Sequence, residues 1–382
     1  MAIKEFFKNI LLSFLLICIL FGFAELTCRL KYNPTKHTYD GIFEYDKDKI
    51  YRLKKNIKNG EFAGKLCETN SFGYRDREIP IKKGKDTIRI LVVGDSVTFG
   101  HGVLSEETYP ERLERLLNEK LNRYHFDVIN TAVPGNSPFQ EYYDLKRGLV
   151  FKPDVVIIQF ALNDLVEPYK VFKRYSGKGI DYDNEFDIPY WHYFLSERSA
   201  FYLFLYDLIL KVKLRAITKE GLKDRAIHQE IELSWDAAAD EPANSKVQKA
   251  WNECLKWTQR EVDICRRRNI ACILLISPID FQFRDDSRTY AQKVLKKFAS
   301  ENDIECIDLL SHMREMARLQ IISAYSLKKN TQYNELVVTH ANDIKGFWRH
   351  CFLDYDHYTP DGHSLVANIL YPKIYELLKK ED

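Results

Sequence analysis

The strongest constraint on the fold of this 382-residue chain is a series of short apolar runs that alternate with helix-like segments. Ile88–Val93 is apolar except for Arg89 and stops at Gly94. Phe126–Ile129, Val155–Ala161 and Ala271–Ile276 have the same form, and Ile304–Leu309, broken by Glu305 and Asp308, reads as a fifth strand. A strand that is apolar at consecutive positions, not at every second one, is covered on both faces. Between the runs the period changes. Leu113, Leu116, Leu117 and Leu121 share one helical face within Tyr109–Leu121, and Phe139–Val150, Lys246–Arg268 and Thr289–Asn302 read as further helices. A last helix starts near Pro360, with Thr359 as its N-cap and the proline in its first turn. Such alternation predicts an α/β fold: a three-layer α/β/α sandwich around a mostly parallel five-stranded sheet.

Three regions fall outside that rhythm. Residues 1–31 contain the apolar stretch Ile10–Ala24, preceded by Lys4 and Lys8 and followed by Glu25, Arg29 and Lys31. It reads as an uncleaved anchor reaching Cys28, or as a signal peptide cleaved after Ala24; the alternative is a buried helix of a soluble protein. The first two readings put the rest of the chain outside the cytoplasm, membrane-anchored in one and secreted in the other. Basic residues on both sides leave orientation open. Residues 32–87 form a turn-rich extension in which Asn70–Arg75 is a tight turn. Residues 165–245 read as a helical insertion into the 88–382 domain. Its greasiest part, Phe201–Leu214, is a buried cap helix, a lid beside the substrate entrance or a membrane-contacting helix.

Formal charge is +2 from 57 basic and 55 acidic side chains, so the chain lacks the basic excess that nucleic-acid binding requires. None of the eight cysteines falls in a CxxC or zinc-ligand spacing, and neither a metal nor a cofactor is expected. Outside the cytoplasm some of them are candidates for a disulfide.

Ligands of an open parallel sheet bind beyond the carboxyl ends of its strands, so the residues just after each strand carry most information. After the first come Gly94-Asp95-Ser96, after the second Pro134-Gly135-Asn136, and after the third Ala161-Leu162-Asn163-Asp164. Before the final helix stand Asp354-Tyr355-Asp356-His357. Attack of a hydroxyl on an ester needs a base for the hydroxyl proton, an acid that fixes the base, and donors for the developing oxyanion. Ser96, His357 and Asp354 supply the first two functions. The amides of Ser96 and Gly135 and the side chain of Asn163 supply the third. Asp95 and Asp164 support the loops. A residue three positions back can fold onto the His357 ring, whereas an adjacent one points away, so Asp354 orients the ring and Asp356 faces solvent or the backbone. His363 falls inside the last helix and is a supporting residue; His340 and His350 lie in a segment, 329–352, that walls the cleft.

These blocks resemble the SGNH/GDSL hydrolase superfamily over roughly Ile88 to the C-terminus. Gly94-Asp95-Ser96 corresponds to its first block, Gly135 to the second, Asn163-Asp164 to the third and Asp354-x-x-His357 to the last. Ala161 stands where the family has glycine. The resemblance implies an esterase acting through an acyl-enzyme. The Asn70–Arg75 segment behind a single apolar N-terminus resembles exported members linked to cell-envelope glycans. The expected substrate is an O-acylated, notably acetylated, carbohydrate or another envelope ester. The alternatives are an O-acyltransferase with the same residues and an inactive glycan-binding protein.

Overall fold

A computed structural model describes residues 2–31, 42–46, 48–165, 195, 198–217, 239–241, 245–283, 285, 287–316 and 350–381. The chain divides into two compact units, 1–45 with 172–229 and 46–171 with 230–382.

In the larger unit the expected five strands form one sheet: β1 (Thr87–Val93), β2 (His125–Asn130), β3 (Val155–Phe160), β4 (Ala271–Ile276) and β5 (Glu305–Asp308). Their order is β2-β1-β3-β4-β5 and every pairing is parallel. In register, Ile90 lies opposite Val128, and Val93 opposite Ile158. Among the described residues, the helices longer than eight residues and the single turn that carries Ser96 are, in chain order, α1 (Ala2–Cys28), the single turn α2 (Ser96–Phe99), α3 (Tyr109–Lys120), α4 (Pro138–Gly148), α5 (Ala200–Ile217), α6 (Ser245–Arg267), α7 (Tyr290–Glu301) and α8 (Pro360–Glu381).

Strand alternation divides the core in two. Leu91, Val93, Ile129, Val156, Ile158 and Leu274 pack under α4, α6 and α7 through Leu145, Trp251, Cys254, Val262, Leu295 and Phe298. Ile90, Val92, Val128, Ile157 and Leu275 pack on the opposite face under α3 and α8 through Leu113, Leu117, Val366, Leu370 and Ile374. Covering both faces is what makes the strands continuously apolar. Truncating a leucine such as Leu91, fully buried, costs about 2–5 kcal/mol.

The ends of elements differ from expectation by a residue or two where polar groups intervene. β3 stops at Phe160 because the Ala161 amide donates to Asp164 Oδ2 (2.9 Å), turning the chain. β5 is shorter than the apolar run because Leu309 begins the helix 309–316. Thr359 caps α8, its Oγ1 accepting from the Gly362 amide at 3.1 Å. All eight cysteines are free thiols, so no disulfide joins them.

From Asp46 onward the extension before the sheet belongs to the larger unit. Gly60–Phe62 and Lys65–Cys67 pair as an antiparallel hairpin. In the Asn70 turn, Asn70 Oδ1 accepts from the amides of Phe72 and Tyr74, each at 3.0 Å. This turn delivers the buried Arg75 guanidinium to four carbonyls: Leu66 (2.9 Å), Phe99 (3.1 Å), Gly100 (2.9 Å) and Val103 (2.7 Å).

In the smaller unit, α1 has an apolar segment, Lys4–Cys28, long enough to cross a membrane and unburied. Its Glu25 carboxylate accepts from the first amides of α5, Ala200 and Phe201, both at 3.0 Å, and from Ser199 Oγ at 2.8 Å. Phe21 packs edge-on against Phe201 at 5.6 Å. The greasy helix expected over Phe201–Leu214 is thus α5, and its observed partner is α1. Most of the 165–245 insertion, and His340, lie outside the described residues.

Candidate active site

The strand order reverses beside β1, so the loops after β1, β2 and β3 converge at the carboxyl edge of the sheet. Asp95 caps the single turn of α2 by accepting from the Val97 amide at 2.9 Å. The preceding Gly94 admits no side chain. A Cβ there would lie 2.5 Å from both Gln159 Oε1 and Thr98 Oγ1. Gly100 and His101 both donate their amides to the Ser96 carbonyl, at 3.1 and 3.0 Å, closing the turn behind the serine.

From the other end of the domain, the loop before α8 brings His357 to Ser96. Ser96 Oγ and His357 Nε2 are 2.8 Å apart. His357 Nδ1 is 2.7 Å from Asp354 Oδ2, and Asp354 Oδ1 accepts from the His357 amide at 2.9 Å. A carboxylate at Nδ1 holds the proton there and leaves Nε2 as an acceptor for the serine hydroxyl.

Neither the Ser96 amide nor the Gly135 amide has an acceptor among the described residues. Gly135 adopts φ +74, a conformation that turns its peptide without a Cβ penalty. Asn163 Nδ2 donates to Asp95 Oδ2 at 2.7 Å, which ties the third loop to the first and leaves its second amide hydrogen uncommitted. Asp164 accepts from Ala161, so alanine in place of the family glycine is accommodated within a closed turn.

Asp356 is placed differently from the sequence reading, which had it facing solvent or backbone. It is buried, and its Oδ1 lies 3.1 Å from His357 Nδ1 without the alignment of a hydrogen bond. Two carboxylates therefore flank one ring nitrogen, and alternating orientation fails because the loop is not extended there.

The charges follow from this crowding. Burial opposes protonation of His357, but the Asp354 hydrogen bond and the carboxylates of Asp356, Asp354 and Asp95 outweigh it, so its pKa lies above the ordinary imidazole value. Asp354 is pulled the other way. Burial works against its ionisation, yet the hydrogen bonds from His357 hold its carboxyl well below the usual range. Burial, opposed by the His357 charge and reinforced by Asp95 and Asp354, pushes Asp356 up to about 8. Asp95 is also raised, by burial.

His363 is fully buried, accepts at Nδ1 from the Tyr109 amide (3.1 Å) and is pushed down to about 3 by burial, so it holds α3 as a neutral ring. His350 is exposed. His101, which the sequence reading missed, stacks on His357 with centroids 4.1 Å apart and 18° between the rings. Its signal was its place right after the Gly100 that closes the serine turn. Arg75 was legible only as part of a turn.

A sequence model of the GDSL-like lipase/acylhydrolase family matches residues 92–364, from β1 into α8. This chain belongs to that family. Its members hydrolyse ester bonds, and the protein is a hydrolase of this kind. A 92-residue stretch is 33% identical to an acetylxylan esterase of Xylanibacter ruminicola, covering 23% of this chain but only 19% of that relative's length. Among solved structures, TesA aligns at 11% identity over 76% of this chain and 99% of its own, with a TM-score of 0.38. A catalytic mutant of Axe2, an acetylxylan esterase from Geobacillus stearothermophilus, aligns at 16% identity over 75% and 94%, with a TM-score of 0.36.

Proposed function

We propose that the protein is a serine esterase that removes O-acyl groups, acetyl foremost, from a carbohydrate through an acyl-enzyme. The observation that carries this reading is the chain of hydrogen-bonding contacts Ser96–His357–Asp354 at the carboxyl edge of the sheet. In acylation His357 Nε2 takes the Ser96 proton as Oγ attacks the ester carbonyl. The oxyanion meets the Ser96 and Gly135 amides and the second hydrogen of Asn163 Nδ2. His357 then protonates the departing sugar oxygen. In deacylation water loses a proton to the same nitrogen, attacks the acyl-serine and releases acetate and Ser96. Asp354 stabilises the imidazolium in both halves; Asp95 and Asp164 hold the loops that carry Ser96 and Asn163.

The acetyl-carbohydrate part of the reading draws on the acetylxylan esterase relative. Residues 1–31 act as a membrane anchor with the 88–382 domain outside the cytoplasm. The length of the apolar segment Lys4–Cys28, enough to span a bilayer, favours retention over cleavage. A C-terminal reporter that works only after export tests this, and a stable but inactive fusion reverses the orientation.

The deciding assay gives the purified full chain an aryl acetate with and without an oligosaccharide acceptor. Free acetate supports the esterase. Acetylated acceptor makes the protein an acyltransferase, and no turnover by a folded protein makes it a glycan-binding member.

A further inference from the structure

The smaller unit carries an apolar surface that the serine chemistry does not use. Along α5, Leu205, Leu208 and Ile209 are 37, 48 and 53% exposed. Their spacing of three and four residues puts them on one helical face with Phe201. That stripe starts on α1, where Phe201 meets Phe21 edge-on at 5.6 Å. Phe21 is itself exposed, within a segment, Lys4–Cys28, in which no residue is buried.

The same junction fixes the level at which α5 begins. Residues 9–24 carry no charge, and as a helix they span about 24 Å, less than the roughly 30 Å of a hydrocarbon core. When α1 crosses a bilayer, Glu25 therefore stands at the hydrocarbon edge. A carboxylate at that depth is costly unless it is paired. Glu25 accepts from Arg29 Nε (2.7 Å) and from three donors at the start of α5: Ser199 Oγ (2.8 Å) and the amides of Ala200 and Phe201 (3.0 Å each). Arg29 Nη2 donates in turn to the Arg198 carbonyl at 2.9 Å. The first turn of α5 is thus held at the edge of the bilayer. Asp207, Lys211, Lys213 and Arg215 follow within the same helix, too many charges for α5 to continue across the hydrocarbon.

We propose that α5 is a second membrane contact, lying along the bilayer–water interface with Phe201, Leu205, Leu208 and Ile209 against acyl chains. The occupant of the stripe is lipid and not another protein, because the stripe is continuous with the exposed surface of α1 that faces acyl chains at the same level. An uncharged start, Ala200–Tyr206, followed by basic residues suits a helix that begins at the hydrocarbon edge and ends among headgroups. The proposal rests on the reading of α1 as a membrane span, and the test separates the two.

Full-length protein with the photo-cross-linker p-benzoylphenylalanine in place of Leu15, Leu208 or Leu66 is reconstituted into vesicles of phosphatidylethanolamine and phosphatidylglycerol, irradiated and analysed by mass spectrometry. Leu15 reports on α1. Leu66, 51% exposed on the hairpin of the larger unit, is the control for an exposed apolar residue away from the membrane. Lipid adducts are expected at Leu15 and Leu208 and not at Leu66. Leu205→Glu combined with Ile209→Glu should abolish the adduct at Leu208 and leave that at Leu15. A lipid adduct at Leu15 while Leu208 cross-links only to protein, or not at all, overturns the α5 contact and leaves the span standing. A lipid adduct at Leu208 without one at Leu15 sustains the contact while the span fails. No lipid adduct at either position removes both. Adducts of equal yield at Leu66 make the contact non-specific and overturn it.

Discussion

The two ends of the central sheet both bury polar side chains, but they treat them oppositely. At the amino end Arg89 is 1% exposed and its donors are used: Nε on Asp127 (3.0 Å), Nη1 on the Ile81 (3.1 Å) and Phe151 (2.9 Å) carbonyls, Nη2 on the Pro80 carbonyl (2.6 Å). Asp127 is shared with Arg77 at 2.8 Å. At the carboxyl end, among the described residues, the amides of Ser96 and Gly135 have no acceptor and buried Asn163 Oδ1 has no donor, while two carboxyl groups press on one imidazole. Buried polar groups are normally satisfied, because an orphan costs about 1–3 kcal/mol. The fully satisfied end stabilises the fold, whereas the incompletely satisfied end holds donors in reserve for a charge that arises only during reaction. The contrast predicts that substitutions at the two ends separate into stability and rate.

Ser96→Ala should produce the largest effect. The rate falls by up to about 10⁶, the scale for losing a triad nucleophile, while the melting temperature stays near that of the wild type. A fluorophosphonate labels the wild type at Ser96 and not the variant; labelling that persists moves the nucleophile elsewhere.

Asp354→Asn should come next, with a loss of up to roughly 10⁴ in rate from the wrong tautomer. Asp356→Asn should be far milder, since Asp354 and not Asp356 makes the aligned hydrogen bond to His357 Nδ1. Steady-state kinetics that rank Asp356 above Asp354 would reverse the assignment.

Arg89→Met reverses the pattern. It removes the buried Arg89 partner of Asp127, and breaking a buried pair costs about 3–5 kcal/mol of stability. Chemical denaturation should show that loss, and the surviving folded protein should turn over normally; a large drop in kcat would mean the two ends are coupled.

Asn163→Ala should lower kcat by about 10²–10³ with less effect on KM, the scale for one oxyanion donor. An unchanged kcat limits Asn163 to holding Asp95.

The smallest effect is on pH dependence. The base must be neutral, and its pKa is raised, so kcat/KM should fall as pH drops through a midpoint above imidazole's usual value of about 6.5. Asp354→Asn removes a carboxylate that stabilises the imidazolium, so the midpoint should move down. A shift upward contradicts the electrostatics.

The sequence alone determined the α/β class, the positions of five strands and the four blocks that meet at the site. These features are local. Apolar runs must be covered, the chain must turn where Gly94, Gly135 and Thr359 stand, and the blocks fall where strands end or the last helix begins. Arg89 stood out as the one charge in an apolar strand, but its carbonyl acceptors lie on segments separated in the chain. Tertiary structure alone decided that Asp356 turns inward, that Arg75 ties an upstream turn to Gly100, that His101 lies on His357 and that α5 pairs with α1. Each depends on residues distant in sequence or on the exact fold of an irregular loop. Neither leaves a periodic signal, because a contact across 261 positions, such as Ser96 with His357, is fixed by the packing of the layers and not by either local segment.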